Sequence, residues 1–170
     1  QLQSALRNYD VELVTFTIGG NDFNFAGVLE QCFLLDLDCT DDILDAYDRI
    51  QQINDELRSA IADVADVVPD DVRLMLVGYP NIMSTGSIHG AECDLISESE
   101  RQGLVDLALH VDTVWESAAN ASDVEYVSTL DALLGNEMCT SDSWMHTPPS
   151  GLGDSGHPKV EGQAALAAAV

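Results

Sequence analysis

Basic residues are scarce in this sequence. Six lysines and arginines stand against 30 aspartates and glutamates in 170 residues, which gives a formal net charge of −24. Lys159 is the only lysine. Because a strongly negative field repels polyanions, nucleic acids and anionic lipid surfaces are excluded as main electrostatic partners. The acidic residues are spread along the chain, which is typical of a highly solvated surface.

Long apolar runs and metal-binding patterns are also absent. No apolar stretch has the roughly 20 residues that span a bilayer, so we expect no stable membrane insertion. The cysteines form no Cys-x-x-Cys pair and no histidine stands at zinc-finger spacing. Asp36 and Asp38 lack the rest of the Asp-x-Asp-x-Asp-Gly pattern of a calcium loop. The sequence therefore predicts neither a metal site nor a cofactor.

The four cysteines are an even number, which favours two disulfides and an oxidising compartment. They are Cys32, Cys39, Cys93 and Cys139. The first two are near enough in sequence to close a small loop. Four cysteines allow three pairings, and four free buried thiols are the alternative.

The length and the apolar content of 46% fit a single globular domain over residues 1–170. No repeat or linker divides the chain. Three apolar, β-rich runs predict strands, and the first reads as buried on both faces. These strands cover residues 11–18, 73–79 and 124–128.

Helical patterns separate these strands. Apolar residues recur at three- and four-residue steps over 41–68 and predict one long helix. Ser97 and Glu100 form a capping box that opens another helix, and Pro158 predicts the first position of the last one. Alternating strands and helices predict a parallel sheet with helices on both faces, a three-layer α/β/α sandwich.

Gly19-Gly20-Asn21-Asp22 follows the first predicted strand directly. Glycines at a strand end let the backbone turn sharply or approach a ligand closely, which makes Gly20 a candidate substrate-binding position. The Asn21 side chain offers N–H groups to a substrate oxygen. The alternative is a simple turn that caps the next helix.

Asp154-Ser155-Gly156-His157 precedes the last predicted helix. The helix dipole disfavours a charged ring at its N-terminus, so His157 is a candidate general base. Asp154 can orient the ring through its other nitrogen. The alternative is a histidine that caps a helix beside a turn aspartate. Ser155 is not the expected nucleophile, because no apolar strand precedes it and it lies only two residues from His157.

Connectivity brings the two motifs together. Ligands of parallel sheets bind beyond the carboxyl ends of the strands. Asn21 follows the first strand, Tyr79 and Pro80 end the second, and the loop over 135–157 follows the third. We therefore expect Asn21 and His157 at the same edge of one sheet.

Together the two motifs resemble those of the SGNH, or GDSL, hydrolases, and the closest likeness is to secreted actinobacterial lipases and esterases. That family has a Gly-x-Asn-Asp block after a parallel strand and an Asp-x-x-His block before the last helix. Thr17 to Asp22, Tyr79-Pro80 and His157-Pro158 with Gly162-Gln163-Ala164 match it, as does the nearby cysteine pair. The resemblance covers essentially the whole chain and implies the flavodoxin-like form of the predicted sandwich.

The resemblance also implies roles. His157 would be the general base, Asp154 its orienter and Asn21 an oxyanion-hole donor. Disulfides would join Cys32 to Cys39 and Cys93 to Cys139. Apart from the resemblance, Trp144 and Met145 are candidates for lining an apolar acyl pocket, with loop packing as the alternative.

The family's Gly-Asp-Ser nucleophile block, at the end of the first strand of its fold, has no counterpart here. We therefore expect the serine, with the N-terminal part of the sheet, upstream of residue 1 or on a companion segment. The resemblance implies a secreted serine ester hydrolase acting on small-molecule or lipid esters. The alternatives are a carbohydrate acetyl esterase of the same fold and a catalytically incomplete fragment or binding module.

Overall fold

The computed structural model describes residues 2–34, 38–147 and 156–170. Its described strands form one parallel sheet in the order β1-β2-β3. Leu13 pairs with Arg73 between the first two strands, and Met75 pairs with Glu125 between the second and third. The strands are β1 (Leu13–Phe16), β2 (Arg73–Val77) and β3 (Glu125–Val127).

Helices lie in the connections between the strands, before β1 and after β3. A 3-10 helix, Ala91–Leu95, lies between β2 and the longest helix. The α-helices are α1 (Leu2–Asn8), α2 (Phe25–Leu34), α3 (Thr40–Gln52), α4 (Asn54–Ala65), α5 (Glu98–Ala121) and α6 (Val160–Ala169). The predicted parallel sheet with helical crossovers is thereby confirmed.

Helix α5 is the central packing element. It packs against β3 and against both α3 and α4. The predicted capping box is present at its start, since the Ser97 side chain and Glu100 each bond the other's backbone N–H. Trp115, on the buried side of α5, is fully enclosed. Because burial of apolar surface drives folding, α5 holds the sheet and the helical layer together.

The long helix predicted over 41–68 is wrong in one respect, because the chain forms two helices that meet at Ile53. This residue has φ −85° and ψ 0°, which interrupts the helical path while its N–H still bonds to the Arg49 carbonyl. Ile50 and Ile61, one from each helix, are fully buried. The break lets α3 and α4 each turn an apolar side toward α5.

The expectation that β1 is buried on both faces is also wrong. Exposed and half-buried residues alternate along it, and Leu13 keeps 44% of its surface exposed. β1 pairs with β2 on one side and lies at an edge of the described sheet. In the described part of the chain, β1 is therefore a strand with one covered face and one exposed face.

Two disulfides cross-link the chain. Cys32 at the end of α2 bonds to Cys39 just before α3, with their Cα atoms 5.1 Å apart. Cys93 in the 3-10 helix bonds to Cys139 in the long loop after β3, with a Cα separation of 5.7 Å. The pairing that the family resemblance implied is the one found.

Candidate active site

A cavity of about 990 Å³ opens beyond the carboxyl ends of β1 and β2. The residues after β1 and β2 and those before α6 contribute to its wall. They include Gly19, Gly20, Asn21, Tyr79, Pro80, Met145, Gly156, His157 and Pro158. This is the edge at which open parallel sheets bind ligands.

Residues 19–24, here called the Asn21 turn, carry the chain from β1 into α2. The turn begins at Gly19, whose φ of +95° suits a residue without a Cβ atom. The Asp22 N–H donates to the Gly19 carbonyl at 3.0 Å, and the Asn24 N–H donates to the Asn21 carbonyl at 3.1 Å. Asn21 itself is exposed at the cavity. Its backbone is therefore fixed within a hydrogen-bonded turn while its side chain stays accessible.

Two aromatic residues lie beneath the Asn21 turn. The Gly20 N–H donates to the Tyr79 hydroxyl at 2.8 Å, and the Trp115 indole N–H donates to the Ile18 carbonyl at 2.8 Å. Burial raises the pKa of Tyr79; the Gly20 N–H opposes this shift and the Asp22 carboxylate adds to it. Tyr79 thus stays a neutral phenol near neutral pH.

Residues 156–159, here called the His157 segment, run antiparallel to residues 144–146. The His146 N–H donates to the His157 carbonyl at 2.9 Å, and the Gly156 N–H donates to the His146 carbonyl at 2.8 Å. The Lys159 N–H donates to the Trp144 carbonyl at 2.7 Å. A short ladder of main-chain bonds therefore places His157, which is exposed, at the cavity.

The last helix does not begin at Pro158, as the sequence predicted. Lys159 is the N-cap and Val160 the first helical residue of α6. Pro158 instead forms an isolated antiparallel bridge with Met145. The pairing with residues 144–146 keeps the chain extended for two residues beyond His157, so the imidazole lies ahead of the helix rather than on its first turn.

The structure brings four predicted site residues to one cavity: Gly20, Asn21, Met145 and His157. Asp154, the predicted orienter, lies outside the described residues, as does Ser155. Trp144 does not line this cavity, whereas its neighbour Met145 does and is buried. The substrate-binding role of Trp144 stays a prediction.

Several lining residues were not predicted from the sequence. They are apolar side chains of three helices whose periodicity resembles that of ordinary core positions. They include Phe25, Leu29, Leu104, Leu107 and Leu166. Only the tertiary structure distinguishes a residue facing a cavity from one facing another helix, because both follow the same helical repeat.

Neither a metal-binding cluster nor a membrane-spanning helix is found within residues 2–34, 38–147 and 156–170. No group of three or more His, Cys, Asp or Glu residues is placed there to hold a metal ion. No helix in this part of the chain combines the length and the apolar character needed to cross a membrane.

No family model matches the chain. Two lipases are related in sequence. Lipase 1 of Streptomyces coelicolor is 27% identical over 154 residues, which cover 89% of this chain and 56% of that protein. A lipase of Streptomyces rimosus is 27% identical over 157 residues, which cover 92% of this chain and 58% of that protein. The chain thus spans somewhat more than half the length of these relatives.

Two solved structures share the fold. An extracellular lipase from Streptomyces rimosus superimposes with a TM-score of 0.78 at 25% identity, covering 94% of this chain and 69% of that one. Phospholipase A1 from Streptomyces albidoflavus gives a TM-score of 0.79 at 26% identity, covering 99% and 76%. The predicted fold, a flavodoxin-like α/β/α sandwich of the SGNH type, is confirmed by these likenesses. In sequence and in fold the chain therefore resembles the SGNH hydrolases, in agreement with the resemblance of its two motifs.

Proposed function

We propose that this chain belongs to a secreted serine ester hydrolase that cleaves carboxylic esters, lipid esters above all. The observation that carries the proposal is the meeting of Asn21 and His157 at one cavity beyond the strand ends. The names of the related proteins, lipases from two Streptomyces species and a phospholipase A1, support the ester and lipid parts. The two disulfides and the extracellular lipase among the neighbours support secretion.

In this proposal the nucleophile is a serine outside these 170 residues. No serine in the described part of the chain lines the cavity. β1 is an edge strand of the described sheet, and Thr15 to Ile18 lie along the cavity wall. We infer that a segment bearing the serine occupies part of this space beside β1, which brings its hydroxyl near His157.

The proposed mechanism combines that serine with His157, Asp154 and Asn21 of this chain. His157 accepts the proton as the serine oxygen attacks the ester carbonyl, and the imidazolium later gives that proton to the leaving alcohol. Water then attacks the acyl-serine ester while His157 accepts a proton from it. The imidazolium returns this proton to the serine oxygen as the acyl–oxygen bond breaks, so the acid leaves and the serine hydroxyl is regenerated. Asp154 orients the imidazole. The Asn21 amide donates to the oxyanion, whose charge develops only in the transition state.

A fluorophosphonate probe tests the proposal on the full-length protein. We expect labelling of a serine outside residues 1–170. His157→Ala should slow labelling roughly 10²- to 10⁴-fold, the usual contribution of a general base. His89→Ala is the matched control, because His89 is exposed and does not line the cavity. Mass spectrometry of the labelled peptide identifies the serine.

Two results would contradict the proposal as a whole, and a third would contradict the role of His157 in it. One is an unlabelled wild-type protein, which would favour a non-catalytic binding module. The other is a label on Ser155, which would place the nucleophile within this chain. Equal labelling rates for His157→Ala and His89→Ala would remove His157 from the mechanism.

A further inference from the structure

We propose that Tyr79 and Trp115 are positioning residues that hold the Asn21 turn in the orientation needed for oxyanion binding. Neither residue was assigned a role from the sequence. The inference rests on the proposed function, since it concerns how Asn21 is held for that reaction. The two side chains come from different elements, Tyr79 from the loop after β2 and Trp115 from α5.

Hydrogen bonds from these residues lie on either side of Gly19. The Trp115 N–H fixes the Ile18 carbonyl before it, and the Tyr79 hydroxyl accepts the Gly20 N–H after it, both at 2.8 Å. Both peptide groups that flank Gly19 are thereby bonded to aromatic side chains. The second of these bonds lies one residue before Asn21, so it limits rotation of the backbone that leads to the Asn21 side chain.

The aromatic rings also support each other. The Tyr79 and Phe23 rings both meet the Trp115 ring edge-on, with centroids 6.2 and 5.9 Å away. Phe23 belongs to the Asn21 turn itself. Edge-to-face pairs of this kind stabilise beyond simple area burial, so the rings form a rigid support rather than a loose apolar contact.

The turn lies directly on these rings. A Cβ atom added at Gly19 would lie 2.5 Å from the Trp115 ring, and one added at Gly20 would lie 2.8 Å from the Tyr79 hydroxyl oxygen. The two glycines thus serve close approach to Trp115 and Tyr79. Tyr79 engages the Gly20 N–H, so this group is not free for a ligand, whereas the Asn21 side chain is exposed at the cavity and offers its amide N–H groups there.

Kinetics of the full-length protein on a p-nitrophenyl ester test the inference. Tyr79→Phe keeps the ring and removes the acceptor of the Gly20 N–H. We expect kcat to fall about 10-fold with KM nearly unchanged, because an oxyanion donor acts in the transition state. Asn21→Ala should lower kcat about 10²- to 10³-fold. The double variant should lose no more than Asn21→Ala alone, since Tyr79 acts through Asn21.

Tyr126→Phe is the matched control. Tyr126 lies on β3, its hydroxyl donates to Asp112 of α5 at 2.6 Å, and it does not line the cavity. This variant should lose stability without a change in kcat. Trp115→Phe, which keeps an aromatic ring and removes the indole N–H, should behave as Tyr79→Phe does. Multiplicative losses of Tyr79→Phe and Asn21→Ala would overturn the inference.

Amide hydrogen exchange provides a readout that needs no activity. In Tyr79→Phe the Gly20 amide should exchange about 5-fold faster, as expected for one lost hydrogen bond. The Gly86 amide, which bonds to Ser84, should not change. Unchanged exchange at Gly20 would overturn the inference even in an active enzyme. If the wild-type protein hydrolyses no ester, the proposed function fails, and Gly20 exchange alone decides whether Tyr79 holds the turn.

Discussion

The two sides of the cavity are held in place by different kinds of interaction. Besides its internal main-chain bonds, the Asn21 turn is held by side chains, because Tyr79 bonds the Gly20 N–H and Trp115 bonds the Ile18 carbonyl just before the turn. The His157 segment is held mainly by main-chain bonds to residues 144–146. Side-chain supports depend on the identity of single residues, whereas a main-chain ladder tolerates many side chains. We therefore expect that a substitution on one side of the cavity destabilises that side and leaves the other side unchanged.

Each side also has its own disulfide. Cys32 lies on α2, which begins directly after the Asn21 turn, and it bonds to Cys39 only seven residues away. Cys139 precedes the residues that pair with the His157 segment, and its partner Cys93 is 46 residues away in sequence. The Cys93–Cys139 disulfide thus closes the longer loop. It lies on the side of the His157 segment, which is held mainly by main-chain bonds.

Removal of the Cys93–Cys139 disulfide is expected to have the largest effect. Replacing both cysteines by serine should lower the free energy of unfolding by about 4 kcal/mol, against about 2.5 kcal/mol for the Cys32–Cys39 pair, because the longer loop restricts the unfolded chain more. Urea denaturation of the full-length variants measures both values. Equal losses would mean that loop length does not decide the difference between the two sides.

Gly19→Ala should destabilise the Asn21 turn and leave the His157 segment unchanged. The new methyl group would lie 2.5 Å from the Trp115 ring, at a φ of +95°. Strain and overpacking together predict a loss of about 3 kcal/mol in the free energy of unfolding. Gly86→Ala is the control, since its nearest neighbour would be the Ser84 hydroxyl at 3.5 Å. A loss below about 1 kcal/mol would show that the turn can move away from the Trp115 ring with little loss of stability.

Acid should weaken the Asn21 side through Glu100. Its carboxylate accepts the backbone N–H groups of Cys39 and Ser97, each at 2.8 Å, and so joins the short disulfide loop to α5. Burial alone would raise the pKa of Glu100, but hydrogen bonds from Ser97 and Cys39 outweigh it and lower that pKa. The stabilisation is therefore present above the ordinary glutamate pKa of about 4.3 and is lost as the pH falls below it.

The measurement is the difference in melting temperature between the wild type and Glu100→Gln. It should be largest near pH 7 and shrink as the pH falls from about 5 towards 3. The comparison between variants cancels the general effect of acid on a highly acidic protein. On the other side, the Lys159 ammonium donates to the Ser143 carbonyl at 2.7 Å and needs no carboxylate. A difference that does not vary with pH would contradict the role of the Glu100 charge.

Much of the fold followed from local patterns. The alternation of strands and helices predicted the parallel sheet, and the Ser97–Glu100 capping box marked the start of α5 to within one residue. The break at Ile53 could not be predicted, because no proline or glycine interrupts the helical repeat there. It arises where two helices pack against α5, which is a property of the assembled core.

The site, like the fold, has features that the sequence predicted and features that only the structure shows. The sequence predicted that Asn21 and His157 lie at one edge of the sheet, because parallel strands bring their carboxyl ends there, and both residues line the cavity. It gave no sign that Tyr79 and Trp115 bond the Asn21 turn, since the residues of these bonds are 59 and 97 positions apart. It also placed the start of α6 two residues too early, because pairing with residues 144–146 outweighs the helical preference of Pro158.

By itself the sequence determined the order of the elements, the chemistry of the side chains at the strand ends and the scarcity of positive charge. These depend on local periodicity, turn-forming residues and composition. The tertiary structure alone decided which side chains support the Asn21 turn and how the His157 segment pairs. Those outcomes depend on hydrogen bonds and packing between elements that are far apart in the sequence, which local patterns do not encode.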